Sequence, residues 1–197
     1  MTGSPIRAVA IGASAGGVQA LLQILPSLPA AYPLPILIVV HVPPDRSNAL
    51  VPLFQGKCQV EVKEAEDKEP ASPGVVYFAP SDYHLLVEAD GSLSLSSDEL
   101  VNHSRPSIDV LFESAADAFG STLAGIVLTG ANGDGALGLK AVAEAGGTTV
   151  VEDPECAAAP AMPAAALAAC PTAKVMSLPA IAPYLLGLGT THRLGIA

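Results

Sequence analysis

Short apolar runs alternate with stretches of helical periodicity along most of this chain, and this alternation restricts the folds that it can adopt. Mostly apolar runs without the polar alternation of a half-exposed strand lie at residues 7–12, 35–41, 123–130, 148–153 and 173–178. Amphipathic or alanine-rich patterns typical of helices separate them. Apolar strands joined through helices indicate a parallel sheet that is covered on both faces. We therefore predict a doubly wound α/β fold with a mainly parallel sheet and helices on both faces.

The middle of the chain departs from this pattern. Residues 58–63, 74–80 and 84–96 also read as strands, and the pair Asp90-Gly91 is typical of a tight hairpin turn. We predict that the sheet carries a small antiparallel hairpin or edge insertion in this region.

Length and charge limit the domain count and the partners. No linker or internal repeat divides the 197 residues, so we expect one domain over residues 1–197 with a core at about 7–187. The formal net charge of −10 argues against a phosphate backbone or an anionic membrane as a main partner. We therefore expect no nucleic-acid partner.

Neither a membrane span nor a secretory signal is expected. Pro160 and Pro163 interrupt the longest alanine-rich stretch, and the first residues lack the positive-then-apolar pattern of a signal. Cys58, Cys156 and Cys170 are odd in number, lie far apart and show no CxxC spacing, which indicates reduced thiols. We predict a cytoplasmic protein without membrane insertion.

Three side chains able to perform acyl transfer follow three different predicted strands. Ser14 follows the first strand, His41 ends the second, and Asp134 lies in the segment 129–134 after a third. The carboxyl ends of parallel strands meet at one edge of a sheet. A serine needs an imidazole to take its proton, and the imidazole needs a carboxylate to fix its tautomer. We predict a catalytic Ser14, His41 and Asp134, although a strand-capping histidine and a turn aspartate are the structural alternatives.

The residues around Ser14 favour a nucleophile. Residues 12–16 fit the pattern G-x-S-x-G, in which a serine is exposed on a sharp turn from a strand into a helix. A phosphate-binding loop is the rival interpretation, but the spacing of G-x-G-x-x-G and the lysine of a P-loop are both absent. The chain order Ser14, His41, Asp134 differs from the Ser, acid, His order of α/β-hydrolases, so we expect a different α/β topology.

Other polar residues receive structural interpretations. Ser107 is a good N-cap and Asp109 favours the start of the helix that follows, while His84 and His103 are expected at the surface. No two ligands show helical or hairpin metal spacing, so we predict neither a metal nor another cofactor.

Six separated segments resemble, in order, one known family. The segments are IGASAGG, VVHVPPDRSNAL, VVYFAPSDYHL, SRPSIDVLFESAA, GIVLTGANGDGALGL and EDPECAAAPAMPAAAL. Together they are similar to the catalytic domain of CheB-type chemotaxis protein-glutamate methylesterases, over roughly residues 7 to 187.

The resemblance implies a doubly wound α/β domain with a catalytic triad that falls on Ser14, His41 and Asp134. It implies hydrolysis of glutamate γ-methyl esters on the cytoplasmic helices of chemoreceptors, giving glutamate and methanol, and in many members deamidation of glutamines. It places the backbone donors of the oxyanion hole at His41 and Ala131. It also suggests substrate contacts at Ala15, where some relatives carry threonine, and at Arg105.

The best-known members of that family carry an N-terminal receiver domain, whereas here the first strand begins at about residue 6. We therefore expect a stand-alone member controlled by a separate signalling protein, or a fragment of a longer chain. Two alternatives from other classes are a catalytically idle signalling domain and a nucleotide- or phosphate-binding module.

Overall fold

A parallel sheet forms the centre of the computed structural model, which describes residues 5–42 and 49–194. Within these residues, seven strands hydrogen-bond in the order β3-β4-β2-β1-β7-β8-β9, and every neighbouring pair is parallel. The strands in chain order are β1 Ala8–Ala13, β2 Ile36–Val40, β3 Glu61–Glu64, β4 Val75–Phe78, β5 His84–Val87, β6 Leu93–Ser96, β7 Leu123–Val127, β8 Thr148–Glu152 and β9 Lys174–Met176.

The strand order reverses at β1, and this reversal positions the site. From β1 the chain passes to the adjacent β2, then to β3 at the edge, and then back to β4 between them. It later crosses to the opposite side of β1, where β7, β8 and β9 follow in order outward. Gly12 of β1 is in register with Val39 on one side and with Val127 on the other. The carboxyl ends of β1, β2 and β7 therefore lie next to one another, in the crevice where open α/β sheets place functional groups.

Helices cover both faces of this sheet because alternate residues of the buried strands point to opposite sides. The helices within the described ranges are α1 Gly17–Ile24, α2 Leu50–Gln55, α3 Ile108–Phe119, α4 Ala136–Glu144, α5 Ala161–Ala169 and α6 Leu178–Leu194. Val9 and Ile11 of β1 pack in one apolar cluster with residues of α1, α2 and α6. Ala8 and Ala10 of β1 pack in a second cluster with residues of α3, α4 and α5.

The predicted antiparallel element is the hairpin β5–β6, which forms its own two-stranded sheet. Its turn contains Gly91 at a φ of 85°, a left-handed conformation that glycine adopts without strain. The hairpin packs on α3, where the N–H of Val87 donates to Oγ of Ser114 at 3.1 Å. The neighbouring segments predicted as strands, β3 and β4, belong to the parallel sheet instead. The sequence of residues 47–54, after the second strand, is also typical of a helix, but residues 47–48 lie outside the described residues.

The sequence predicts neither membrane-spanning segments nor cysteine pairs, and the described residues show the following. No helix in the described ranges is long and apolar enough to cross a membrane. Cys58, Cys156 and Cys170, all described, form no disulfide.

The close approach of α3 and α4 gives a stability prediction. A Cβ added at Gly138 would lie 2.6 Å from Cβ of Phe112 and 3.0 Å from the carbonyl oxygen of Asp109. We expect Gly138→Ala to lower the free energy of unfolding by about 1–3 kcal/mol, because the two helices must separate. Urea denaturation measures this change.

The matched control for that substitution is Gly187→Ala in α6. A Cβ added there would meet nothing within 4 Å. Because alanine has the higher helix propensity, this variant is expected to gain up to about 1 kcal/mol. Equal stability of the two variants would contradict the proposed packing of α3 against α4.

Candidate active site

Ser14 lies on the turn between β1 and α1. Its backbone N–H donates to the carbonyl of Thr129 at 2.9 Å, and its own carbonyl accepts the N–H of Gly17 at 2.8 Å. Gly16 has a φ of 80°, so the backbone turns sharply before α1 begins at Gly17. The predicted turn at G-x-S-x-G therefore exists, and it presents a half-buried Ser14 at the start of a helix.

Thr129, at the carboxyl end of β7, holds this turn in place. Its hydroxyl donates to the carbonyl of Ala15 at 2.9 Å and accepts the N–H of Ala159 at 2.8 Å. Its backbone N–H donates to Oε2 of Glu152 at 2.7 Å. Sequence reasoning placed Thr129 at the sheet edge but missed Glu152, although its position at the carboxyl end of β8 was the available signal.

His41 follows β2 directly and faces the third member of the predicted triad. Its Nε2 lies 3.0 Å from Oδ2 of Asp134. The two atoms are close, but the N–H bond of the ring is not directed along this line, so the contact is not a straight hydrogen bond. No other described group is a hydrogen-bond partner of the buried Nε2. Asp134 is therefore the group that can fix the ring's tautomer, which leaves Nδ1 for chemistry in the cleft.

Asp134 is buried and accepts hydrogen bonds from four donors besides its contact with His41. Oδ1 accepts from Nδ2 of Asn102 at 2.8 Å, Oγ of Ser107 at 2.8 Å and the N–H of Asp109 at 3.2 Å. Oδ2 accepts the N–H of Ile108 at 2.7 Å. Two of these donors are the first backbone N–H groups of α3, so the carboxylate occupies the N-terminus of that helix.

The pKa of Asp134 is lowered by this environment. Burial by itself would raise it, but His41, the amide of Asn102, the N–H of Ile108 and the hydroxyl of Ser107 together outweigh burial. The carboxylate is therefore kept ionised next to His41, as the acid of a triad must be.

Two of the structural interpretations made from the sequence require correction. Ser107 occupies the N-cap position of α3, but its hydroxyl donates to Asp134 and makes no capping bond to its own helix. His84 was expected at the surface, yet only 2% of it is exposed, because β5 packs against α3. Its Nδ1 accepts the N–H of Ser107 at 3.2 Å, and Nε2 lies 3.0 Å from the carbonyl oxygen of Glu99. His84 thus supports the segment that carries Ser107.

Asp109 forms a second buried carboxylate beside Asp134. It lies in the first turn of α3, as predicted, but its Oδ1 accepts the N–H of Gly138 in α4 at 2.6 Å. Its Oδ2 accepts from Nδ2 of Asn102 at 2.7 Å. Burial raises the pKa of Asp109, and the charge of Asp134 raises it further. Sequence reasoning missed Asn102, which lies in a loop with no motif of its own.

The predicted oxyanion donors differ in their availability. The N–H of His41 donates to the carbonyl of Ala13 at 3.0 Å, as the last bond of the β1–β2 ladder, so in this structure that N–H is already engaged. The N–H of Ala131 makes no hydrogen bond to any described residue. The same holds for the N–H groups of Ala15 and Gly16, which precede α1.

The cleft has two parts that meet at His41. A depression of about 360 Å³ contains Ser14 and Ala15 and is bordered by apolar side chains, including Val42 and Leu53. A second, of about 440 Å³, is bordered by Phe78 and Arg105, among others.

Arg105 was expected to contact substrate, but most of its hydrogen-bonding capacity is used inside the protein. Its guanidinium donates to Oδ1 of Asp82 at 3.0 and 2.7 Å, to the carbonyl of Ser97 at 2.7 Å and to that of Asp98 at 2.8 Å. Arg105 therefore fixes the wall of the cleft. Within residues 5–42 and 49–190, no group of three or more His, Cys, Asp or Glu side chains is arranged to hold a metal ion.

The fold and the cleft together define a doubly wound α/β domain with a serine, a histidine and an aspartate at the carboxyl edge of its sheet. Its sequence matches the CheB methylesterase family over residues 9–185, and the chain belongs to that family.

Three known proteins illustrate the relationship. A Leptospira interrogans protein, provisionally named protein-glutamate methylesterase/protein-glutamine glutaminase, is 46% identical over 92% of this chain and 94% of its own. Protein-glutamate methylesterase/protein-glutamine glutaminase 2 of Caulobacter vibrioides is 38% identical over 92% of this chain but only 53% of its own, so this chain spans about half of that relative. The crystal structure of the Thermotoga maritima CheB methylesterase catalytic domain matches with a TM-score of 0.88 and 34% identity, over 94% of this chain and 100% of that one. These comparisons confirm the predicted fold class and the family resemblance.

The buried Glu152 gives a pH-dependent stability prediction. Burial raises the pKa of its carboxyl group, against the N–H of Thr129, so the ionised form destabilises the fold at pH values above its folded pKa. This cost disappears as the pH falls through the folded pKa toward the ordinary value. Glu152→Gln retains an acceptor for Thr129, and we expect it to raise the melting temperature at pH 8 but not near pH 4. A gain of about 1 kcal/mol would correspond to roughly 2–4 °C for a chain of this size.

Differential scanning calorimetry at both pH values measures the effect. The control is Glu155→Gln, which removes a nearby exposed carboxylate and should change the melting temperature little at either pH. A Glu152→Gln variant that is less stable than wild type at pH 8 would contradict this account of the burial cost.

Proposed function

We propose that this chain is a serine methylesterase that hydrolyses glutamate γ-methyl esters on the cytoplasmic helices of chemoreceptors, and that it also deamidates receptor glutamines. One observation carries the proposal: Nε2 of His41 lies 3.0 Å from the buried carboxylate of Asp134, at the edge of the cleft that contains Ser14. The names of the relatives support both reactions on protein glutamate and glutamine side chains, and the family resemblance suggests chemoreceptors as the proteins that carry them.

In the first half of the proposed reaction, Oγ of Ser14 attacks the γ-carbonyl carbon of the methyl ester. His41 accepts the hydroxyl proton through Nδ1, because Nε2 faces Asp134. Asp134 stabilises the imidazolium that forms. The tetrahedral intermediate collapses as His41 delivers the proton to the methoxy oxygen, and methanol leaves an acyl-enzyme ester on Ser14.

In the second half, water attacks the acyl-enzyme carbonyl and gives a proton to His41. The C–O bond to Ser14 breaks, the serine oxygen regains a proton from His41, and the glutamate side chain is released. With a glutamine substrate the same acyl-enzyme forms with ammonia as the leaving group, so one set of residues suffices for both activities.

The oxyanion of both intermediates needs fixed donors. We propose the N–H of Ala131, as the resemblance suggests, together with the N–H of Ala15. The N–H of Ala15 replaces that of His41 as the second donor, because the N–H of His41 is hydrogen-bonded to the carbonyl of Ala13 in the sheet. The residue after the nucleophile serves this purpose in other G-x-S-x-G sites, and one such donor contributes about 10²–10³ in kcat.

The depression beside Ser14 supports a helical protein substrate. Val18, Val42, Leu50 and Leu53 border the serine with apolar surface, which fits the apolar side of an amphipathic helix better than a free polar metabolite. With this substrate we propose a cytoplasmic location and control by a separate signalling protein.

The test is methanol release from methylated chemoreceptor cytoplasmic fragments. We expect Ser14→Ala to lower turnover by several orders of magnitude, because the nucleophile and its covalent intermediate are lost. The matched control is Ser27→Ala, since Ser27 lies just beyond α1 and its Oγ bonds, among the described residues, only the carbonyl of Ile24. This control should retain wild-type turnover.

Two results would oppose the proposal in different ways. Full activity of Ser14→Ala would remove Ser14 as nucleophile. A folded wild-type protein that releases no methanol from any methylated receptor would favour the idle signalling domain.

A further inference from the structure

A two-residue turn at residues 101–104 carries Asn102 toward the triad. The N–H of Val101 donates to the carbonyl of Ser104 at 3.2 Å, and the N–H of Ser104 donates back to the carbonyl of Val101 at 2.9 Å. Asn102 and His103 between them have φ values of 52° and 61°. Two consecutive left-handed residues are the geometry of a type I′ turn, and asparagine tolerates this conformation better than most residues with a side chain.

The side chain of Asn102 links two carboxylates. Nδ2 lies 2.8 Å from Oδ1 of Asp134 and 2.7 Å from Oδ2 of Asp109. An amide nitrogen carries two hydrogens, so each carboxylate receives one. The opposite amide orientation would place a carbonyl oxygen against two carboxylates, so the chemistry of the neighbours fixes the orientation.

The electrostatic surroundings explain why this link matters. His41 and Asp109 both face Asp134. Glu113 lies one turn further along α3. Burial raises the pKa of Glu113, and the charges of Asp109 and other carboxylates, including Asp134, raise it further. On the far side, Nδ1 of His84 accepts the N–H of Ser107. Like charges at close range favour protonation of one partner. Among the described side chains, only Asn102 donates to both Asp134 and Asp109.

We propose that Asn102 is a positioning residue of the triad: by donating one amide hydrogen to Asp134 and the other to Asp109, it keeps Asp134 ionised and directed at Nε2 of His41. This role acts through Asp134 and requires no contact with substrate. Only the kinetic part of its test rests on the proposed function.

Loss of the Asn102 amide should move the protonation of the His41–Asp134 pair in one definite direction. Asp134 loses one donor, and Asp109 remains as a less compensated charge beside it, so the coupled pair of His41 and Asp134 binds its first proton more readily. The first protonation of the pair moves to higher pH. Because one hydrogen bond to Asp134 is lost, we expect the midpoint of this protonation to rise by about 0.5 to 1 pH unit.

The variant that isolates this effect is Asn102→Gly, because glycine keeps the left-handed turn while removing the amide. Asn102→Asp retains the shape of the side chain but brings a third carboxylate, so its displacement should be larger and in the same direction. Leu100→Ala is the control: it lies in the same loop, 59% exposed, and should behave as wild type. If Asn102→Gly does not fold, the comparison rests on Asn102→Asp.

The first measurement is an NMR titration of the His41 ring in protein labelled at histidine, which needs no substrate. The second is the pH profile of kcat/KM for methanol release from methylated receptor fragments. We expect the acid limb of the Asn102→Gly profile to move up in pH with the NMR midpoint, and kcat at pH 7 to fall about tenfold with KM little changed.

The outcomes separate this inference from the proposed function. An NMR midpoint displaced upward in a protein that releases no methanol supports the role of Asn102 and opposes the esterase. Methanol release by wild type, with NMR midpoints in both Asn102 variants equal to that of Leu100→Ala, overturns the role of Asn102 and leaves the esterase intact.

Discussion

The burial of the Asp134 carboxylate at the N-terminus of α3 is the interaction on which both the fold and the site depend. A buried carboxylate without partners would take up a proton. Here the first N–H groups of α3, the hydroxyl of Ser107 and the amide of Asn102 satisfy it, and in return it caps α3. A helix that packs on the sheet is thereby fixed by the same group that faces His41, so the triad geometry and the position of α3 change together.

A second buried carboxylate, Glu152, supports the turn that carries Ser14. Glu152 binds the N–H of Thr129, and Thr129 binds the carbonyl of Ala15 and the N–H of Ser14. Two buried carboxylates thus support the two parts of the site: Asp134 contacts His41, and Glu152 supports the turn that carries Ser14. Their pKa values are displaced in opposite directions, because Asp134 has many donors while burial dominates at Glu152. The difference fits the proposed mechanism, in which only Asp134 stabilises a cation.

The sequence was sufficient to predict the sheet and the common location of Ser14, His41 and Asp134 at one of its edges, because both follow from local patterns and one general rule. Apolar runs separated by helices specify parallel strands, and parallel strands bring Ser14, His41 and Asp134 to one edge. It was insufficient for groups whose role depends on long-range packing. The burial of His84 depends on where β5 meets α3, the engagement of the His41 N–H on the β1–β2 register, and the reach of Asn102 on a turn without a sequence signature.

The first glycine of G-x-S-x-G shows how the structure changes the meaning of a motif. Glycine beside the serine can relieve crowding in such a turn, and Gly16, with its φ of 80°, does so. Gly12 is different: it lies within β1, and a Cβ there would collide with the side chain of Ile108. A Cβ at Gly135, next to Asp134, would also meet Ile108, at 2.7 Å. Ile108 therefore packs between the glycines near Ser14 and Asp134. The motif is required as much for the close approach of α3, whose N-terminus holds Asp134, as for exposure of the serine.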